Sequence, residues 1–203
     1  MAGPADRRAL DHLTRRGLIF GAAGLAAAAV FAAVDHVASL SLAEKQAPEP
    51  ADALVEIVQF DERGNRTGKV RLQKIRKSDQ EWRRLLSPAQ YAVTRKGGTE
   101  IPYSGALTGE HRAGLFRCAD CLTALFDAKT KFESGTGWPS FWAPIAQENL
   151  REKADFSMGL LRREVRCALC DAHLGHVFDD GPDPTGLRYC MNSAALVFSP
   201  RRP

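Results

Sequence analysis

The last of five cysteines in this chain, Cys190, lies in the segment GLRYCMNSAALVF, with an arginine and a tyrosine just before it and an asparagine two residues after it. A free thiol often packs as a small apolar residue. Arg188, however, lies two positions away, on the same face if the segment is a strand. A nearby guanidinium favours the thiolate, which is the nucleophilic form of cysteine. Cys190 is therefore a candidate nucleophile, with Asn192 as a hydrogen-bonding neighbour on the same face.

Two histidines precede this cysteine in the segment DAHLGHVFDDGPDPTG. His173 and His176 are three residues apart and are followed by a loop rich in glycine, proline and aspartate. Imidazole changes its protonation near neutral pH, so histidines close to a free thiol indicate proton transfer. Metal binding is the alternative, but no further ligand is obvious once the other cysteines are assigned.

An aromatic segment, ESGTGWPSFW, places three large rings within five residues. The glycines at 135 and 137 predict a turn, and Trp138 follows that turn directly. Functional side chains concentrate on such loops. We therefore expect Trp138 to be exposed at a site and Phe141 to lie in the core.

The remaining four cysteines form two Cys-x-x-Cys pairs, Cys118 with Cys121 and Cys167 with Cys170. Two such pairs at strand ends supply four thiolates to a tetrahedral zinc ion. Four thiolates leave no open coordination position, so one zinc ion per chain would be structural. Two disulfides or a redox-active pair are the alternatives. Neither pair is followed by a clear helix, which argues against the redox pair.

The elements that must position these residues are short. ALVEIVQF and KVRLQKI read as two strands joined by the loop DERGNRTG. Ser78 with Glu81 forms a capping box ahead of a short helix, and Ser87-Pro88 starts another. Short apolar runs separated by glycine, proline and aspartate follow. The pattern predicts a mainly β, mostly antiparallel domain with small helices at its N-terminal side.

Composition fits one globular domain of this kind. The 203 residues are 44% hydrophobic and 26% charged, and the net charge is +4. Lysines and arginines are scattered among acids rather than grouped in a stripe, which argues against a nucleic-acid partner.

The N-terminus differs from the rest of the chain. Arg15 and Arg16 precede an uncharged run from Gly17 to Val34, the pattern of a twin-arginine export signal. We predict a signal sequence at residues 1–43, a linker at 44–52 and the folded domain at 53–203. The chain is then periplasmic or exported if the signal is cut, and membrane-anchored through this segment alone if it is not. A buried helix is the remaining alternative for the run.

The chain contains the motifs GWPSFW, HLGHVF, DDGP and TGLRYCMNSAAL together with both cysteine pairs. Taken together and in this order, these motifs strongly resemble the B-class peptide-methionine (R)-S-oxide reductases. EWRRLLSPAQYAVTRKGGTEIPYSGAL resembles the family's N-terminal part, so the likeness covers about residues 68 to 199. The resemblance implies two antiparallel β-sheets (a β-tent), a structural zinc and reduction of the R epimer of methionine sulfoxide, a protein-repair activity under oxidative stress.

The resemblance also implies roles for single residues. Cys190 matches the catalytic nucleophile, and Arg188 matches the arginine beside it. Trp138 matches the tryptophan that packs on the substrate's methyl group, and Asp180 matches an aspartate on the substrate side.

The polar residues around the sulfoxide are matched by His173, His176 and Asn192. In the implied chemistry, the Cys190 thiolate attacks the sulfoxide sulfur while a histidine protonates the oxygen. Methionine departs and the cysteine becomes a sulfenic acid.

The chain departs from many family members at Thr136, where they carry a resolving cysteine. We therefore expect no intramolecular disulfide, and reduction of the sulfenic acid by a thioredoxin-like protein or a small thiol. The substrate is expected to be methionine sulfoxide in oxidised proteins. A zinc-stabilised peptide-binding module without catalysis and a thiol peroxidase are the alternative functions.

Overall fold

The computed structural model describes residues 54–157 and 161–202. The predicted export signal at residues 1–43 and the predicted linker at residues 44–52 lie outside the described residues. Within residues 54–157 and 161–202, no helix has both the length and the apolar character needed to cross a bilayer.

The described chain contains eleven strands and two short α-helices. The strands are β1 (Leu54–Phe60), β2 (Arg66–Gln73), β3 (Gly114–Cys118), β4 (Ala124–Asp127), β5 (Lys131–Phe132), β6 (Ser140–Phe141), β7 (Leu150–Asp155), β8 (Arg162–Cys167), β9 (His173–Phe178), β10 (Arg188–Met191) and β11 (Leu196–Pro200). The helices are α1 (Asp79–Leu85) and α2 (Pro88–Thr94).

The strands pair antiparallel in three sheets. The largest has the order β5-β6-β10-β9-β8-β7, the second β11-β3-β4, and β1 and β2 form a hairpin of their own. The mainly β, antiparallel fold with N-terminal helices is thus confirmed. The two larger sheets correspond to the predicted pair, and the N-terminal hairpin adds a third.

The N-terminal hairpin has a shorter loop than the sequence predicted, because strand pairing resumes at Arg66 opposite Phe60. The Asp61 carboxylate closes the loop by accepting hydrogen bonds from the backbone N–H groups of Arg63 (2.9 Å) and Asn65 (2.8 Å). Such aspartate-closed turns satisfy the backbone locally and allow a tight reversal.

Both helices begin where the sequence predicted. Ser78 accepts from the Glu81 N–H at 3.3 Å, and the Glu81 carboxylate accepts the Ser78 N–H at 2.7 Å. Ser87 and Gln90 form the same reciprocal pair at the start of α2. Each box satisfies backbone donors that a helix start leaves unpaired.

The core between the two larger sheets is aromatic. Phe126 of β4 stacks on Phe141 of β6 at 4.3 Å between ring centroids, and Phe116 of β3 meets Phe141 edge-on at 4.9 Å. Tyr189 of β10 completes the cluster at 5.7 Å from Phe126. Phe141 is fully buried, as predicted. Aromatic pairs in these geometries add about 0.5–1.5 kcal/mol each beyond the area they bury.

A fully buried asparagine joins the hairpin to the rest of the core. Asn149 accepts the Val58 N–H at 2.8 Å through its side-chain oxygen. Its amide nitrogen donates to the carbonyls of Val58 (2.9 Å) and Ala124 (2.8 Å). This one side chain therefore replaces a strand partner for Val58 and satisfies backbone groups that water does not reach.

We predict that Asn149→Ala lowers the free energy of unfolding by about 3 kcal/mol, because three hydrogen bonds are lost and buried backbone groups stay unpaired. Urea unfolding monitored by fluorescence measures the change. The control is the neighbouring Glu148→Ala, which removes only a partly exposed ion pair with Lys69 and should cost less than about 1 kcal/mol. Equal losses in the two variants would contradict the role of Asn149.

Candidate functional site

Strand β10 fixes the direction of Cys190. Tyr189 and Met191 point into the core, while Arg188 and Cys190 point to the opposite face and are partly exposed. Cys190 pairs with His176 of β9 on one side and with Ser140 of β6 on the other. The sheet therefore brings together three residues that are far apart in the sequence.

Cys190 lies in a cavity of about 120 Å³. Trp138 contributes an apolar wall and His176 a polar one, an asymmetry that suits a group with one apolar and one polar end. The lining residues are Thr99, Trp138, Arg162, Gly175, His176, Phe178, Cys190, Met191 and Asn192.

An unpredicted residue, Glu100, holds two sides of this cavity. Its backbone carbonyl accepts the Trp138 indole N–H at 3.1 Å, and its N–H donates to the Asn192 side-chain oxygen at 3.0 Å. Its carboxylate accepts the N–H groups of Ser193 (2.6 Å) and Ala194 (2.9 Å). Nothing in the local sequence indicates this role, because every partner lies at least 38 positions away.

Asn192 is buried beside the cavity rather than free within it. Its amide nitrogen donates to the Leu174 carbonyl at 3.1 Å, while its oxygen is taken by Glu100. The predicted side chain is at the site, and these contacts fix its orientation.

Arg188 and Asp180 form a bidentate ion pair. The Arg188 Nε and Nη2 atoms donate to the two Asp180 carboxylate oxygens at 2.8 and 2.7 Å. The guanidinium also lies over the Phe178 ring at 4.5 Å. Asp180 was expected on the substrate side, but it is not among the residues lining the Cys190 cavity and contacts Arg188 instead. In the structure, its carboxylate pairs with the Arg188 guanidinium and orients it.

Burial sets the protonation of the candidate nucleophile. Removal from water raises the pKa of the Cys190 thiol. Thr136, whose hydroxyl oxygen lies 3.8 Å from Sγ, opposes this shift, and so do Arg188 and Ser140. Arg188 lowers the pKa of Cys190, as predicted, but burial raises that pKa by more. Cys190 therefore rests as a thiol.

Each predicted histidine has a carboxylate partner that the sequence did not reveal. His176 Nε2 lies 2.8 Å from Asp155 Oδ2, and His173 Nδ1 lies 2.7 Å from Glu164 Oε1. Burial lowers the pKa of His176, and the Asp155 carboxylate only partly offsets it. His176 is therefore mainly neutral at pH 7.

The two histidines occupy different positions relative to the thiol. Their ring centroids are 5.5 Å apart. Only His176 lines the Cys190 cavity, whereas both line an adjoining polar cavity of about 430 Å³ with Asp155 and Glu164. His176 is thus the histidine placed to exchange a proton at the thiol.

The four paired cysteines come together at one point. Their sulfur atoms all lie within 4.8 Å of one another. The Cys118–Cys170 and Cys121–Cys167 sulfur distances are 3.6 and 3.5 Å. A tetrahedron with metal–sulfur bonds of about 2.3 Å has edges of about 3.8 Å, so these spacings fit a four-coordinate ion.

The two Cys-x-x-Cys turns have the same backbone form. After each pair, one residue adopts a left-handed conformation, Leu122 with φ 62° and Asp171 with φ 57°. The N–H of that residue donates to the carbonyl of the first cysteine, Cys118 or Cys167, at 2.9 and 3.0 Å. This tight reversal turns both sulfurs of a pair toward the same side.

Arg95, just after α2, ties the two turns together. Its Nη1 donates to the Cys170 carbonyl at 2.8 Å and lies 3.3 Å from the buried carboxylate of Asp120 in the other turn. The guanidinium rests over the Trp82 ring at 4.6 Å. The helix therefore positions both halves of the cluster.

The chemistry of the donor set also fits a cation. Contact with the Cys121 sulfur raises the pKa of the Cys118 thiol, and burial adds to this, while the same contact lowers the pKa of Cys121. A bound cation would hold all four sulfurs as thiolates. The four-cysteine cluster is thus a candidate metal centre, separate from Cys190.

The fold and the two sites define a mainly β thiol protein with a candidate metal centre of four cysteines. The SelR domain model matches residues 86–200. Relatives called peptide methionine sulfoxide reductase MsrB are similar over nearly their whole length. The Pseudomonas putida protein is 57% identical over 130 residues, which is 64% of this chain and 98% of the relative.

Relatives from other genera give the same result. The Bradyrhizobium diazoefficiens protein is 55% identical over 63% of this chain and 92% of its own length. The Hahella chejuensis protein is 53% identical over 63% of this chain and 91% of its own length. The chain belongs to the SelR domain family, the family of MsrB.

We predict that Cys121→Ser removes the bound metal and lowers the melting temperature by more than 10 °C, because a three-thiolate site binds more weakly and metal binding is linked to folding. Elemental analysis and calorimetry of the purified chain measure both. Cys190→Ser serves as the matched control and should keep the metal. A metal-free wild type with all four sulfurs oxidised would contradict the assignment.

Proposed function

We propose that this chain reduces the R epimer of methionine sulfoxide in oxidised proteins, with Cys190 as the nucleophile. Membership of the MsrB family makes it an oxidoreductase that acts on methionine sulfoxide. The observation that carries the finer proposal is the cavity of about 120 Å³ that Cys190 lines together with Trp138 and His176.

The proton balance follows from the resting states of the two groups. Cys190 rests as a thiol and His176 as a neutral imidazole that faces the Asp155 carboxylate through Nε2, so the thiol proton is the one that moves between the pair. In the reaction His176 accepts the thiol proton, the thiolate attacks the sulfoxide sulfur, and the imidazolium gives the proton to the sulfoxide oxygen. The attack forms a bond between the two sulfur atoms. As that bond and the S–O bond of the substrate break, the hydroxyl passes to Cys190 Sγ, which becomes a sulfenic acid, and methionine leaves.

Selection of one epimer rests on the two walls of the cavity. The methyl group of the substrate packs on the apolar Trp138 face, and the sulfoxide oxygen then points toward His176. In the other epimer, the oxygen would face the indole and lose its hydrogen bonds, which costs several kcal/mol for a polar group removed from water.

The other predicted residues act on this pair. Asp155 orients His176. Arg188, held by Asp180, places positive charge near the thiolate as it forms. We assign to Asn192 the shaping of the cavity next to the substrate. His173 belongs to the adjoining polar cavity and supports His176.

We propose that an external thiol resolves the sulfenic acid. Thr136 lies where a resolving cysteine would have to be, with its hydroxyl oxygen 3.8 Å from Cys190 Sγ. The other four cysteines are clustered with one another. A thioredoxin-like protein or a small thiol then forms a mixed disulfide with release of water, and a second thiol releases Cys190.

We also propose that the metal of the four-cysteine cluster is a structural zinc ion. Tetrahedral sets of four thiolates are typical of zinc, and no coordination position is left for water. Cys118, Cys121, Cys167 and Cys170 would hold it, and its contribution would be to stability rather than to the reaction.

Export is the proposed route to oxidised substrates outside the cytoplasm. Arg15 and Arg16 before the uncharged run at residues 17–34 support a twin-arginine signal. Mass spectrometry of the mature N-terminus in periplasmic and cytoplasmic fractions tests this. A cytoplasmic chain that begins at Met1 would contradict it.

We predict that the wild type releases methionine from the R sulfoxide in the presence of dithiothreitol and that Cys190→Ser is at least 1000-fold less active. Trp138→Ala should lower kcat/KM for the R epimer about tenfold or more, because the methyl-binding wall is lost. Trp142→Ala, which alters a tryptophan outside the cavity, is the matched control. Assays on separated R and S epimers decide the case, and equal turnover of both would contradict the proposal.

We predict that Thr136→Cys converts the enzyme to one that forms an intramolecular disulfide with Cys190 after one turnover. Mass spectrometry after a single turnover without reductant should show a dimedone-reactive sulfenic acid in the wild type and an internal disulfide in the variant. An internal disulfide involving Cys190 in the wild type would overturn resolution by an external thiol.

A further inference from the structure

A chain of three hydroxyl groups leads from Cys190 into the core. Thr136 Oγ1 lies 3.8 Å from Cys190 Sγ and 2.8 Å from Ser134 Oγ. Ser134 Oγ lies 2.7 Å from Ser140 Oγ, and Ser140 donates to the Trp138 carbonyl at 3.2 Å. Ser140 is fully buried, so water does not compete for its hydroxyl.

Counting protons along these hydroxyl groups shows in which direction the hydrogen bonds are donated. Each hydroxyl has one proton to donate, and the Trp138 carbonyl only accepts. Because Ser140 gives its proton to that carbonyl, Ser134 must donate to Ser140 and Thr136 to Ser134. The Cys190 thiol then donates to Thr136. Four protons satisfy four hydrogen bonds, so every hydrogen bond in the series is made when Cys190 is a thiol.

Loss of the thiol proton changes the count to three protons for four links. If each hydroxyl rotates toward the sulfur, Thr136 donates to the thiolate, Ser134 to Thr136 and Ser140 to Ser134. The link that is lost is then the one to the neutral carbonyl at the far end. The Thr136 N–H, which donates to Ser134 Oγ at 3.4 Å, is compatible with both directions because that oxygen has two lone pairs.

We propose that Ser140, Ser134 and Thr136 form a reversible hydroxyl relay that stabilises the Cys190 thiolate through a hydrogen bond from Thr136. The relay rests on the nucleophilic role proposed for Cys190. Its hydroxyls only rotate, and the thiol proton leaves to the base or to water. A hydrogen bond to a charged sulfur is stronger than one from a neutral thiol, so the relay favours the anion.

The relay acts beside the charged groups of the site, not through them. The charged or titratable groups that face Cys190 are Arg188 on its own strand, His176 on β9 and Arg162 on β8. Arg188 is bound to Asp180, and Arg162 and His176 to Asp155. Thr136 and the serines carry no charge, so substitutions in the relay leave these pairs in place.

The test is the pH dependence of Cys190 alkylation by iodoacetamide in the purified metal-loaded chain, with the modified peptide identified by mass spectrometry. Thr136→Val keeps the shape of the side chain and removes the hydroxyl. We expect alkylation about tenfold slower at pH 7, with the pH midpoint shifted upward, the effect of losing one charge-assisted hydrogen bond. Thr136→Ser restores the donor and should stay within about twofold of the wild type.

Ser134→Ala tests the relay without altering the group next to the sulfur. It separates Thr136 from Ser140 and should slow alkylation at pH 7 about threefold. An unchanged pH profile in Thr136→Val, or in Ser134→Ala, would overturn the relay. The assay needs no sulfoxide, so it reads the relay even if the chain failed to turn over methionine sulfoxide, and that failure would count against the proposed function alone.

Discussion

Burial of Tyr189 between the two larger sheets is the constraint on which the site depends. Its ring joins the stacked pair of Phe126 and Phe141, so β10 cannot rotate without opening the aromatic core. Because side chains alternate along a strand, the buried tyrosine directs Cys190 to the opposite face, toward Trp138 and His176. The geometry of the nucleophile is therefore set by packing energy on the other side of its own strand.

Burial also explains why the thiol and the imidazole work as a pair. Both groups lose water, which raises the pKa of Cys190 and lowers that of His176, and both shifts favour the neutral forms. A neutral pair has no net charge to solvate. Charge appears only when a substrate fills the space, and the fixed polar groups around the cavity are then in place to receive it.

The sequence was informative where the signal is local. The capping box at Ser78, the helix start at Ser87-Pro88 and the burial of Phe141 follow from residue types and short spacings. Strand β7 was missed because it is an edge strand with mostly charged, exposed side chains and no apolar alternation. Glu100 and Asp155 were missed because their partners come from distant strands and loops. Only part of the environment of Cys190 was predicted. Arg188 is two residues away in the sequence and could be recognised there, whereas the burial of Cys190 depends on the whole fold.

The four-cysteine cluster draws its ligands from both larger sheets. One pair follows β3 of the three-stranded sheet, and the other follows β8 of the six-stranded sheet. The second turn also contacts the end of the N-terminal hairpin, through the Ile75 N–H to the Leu169 carbonyl and through Lys74 to Asp171. An ion at this junction would make the three sheets a single cooperative unit. Oxidants that create methionine sulfoxide also attack thiolates. Oxidation of these four sulfurs would therefore limit how long the enzyme stays folded under the stress that creates its substrate.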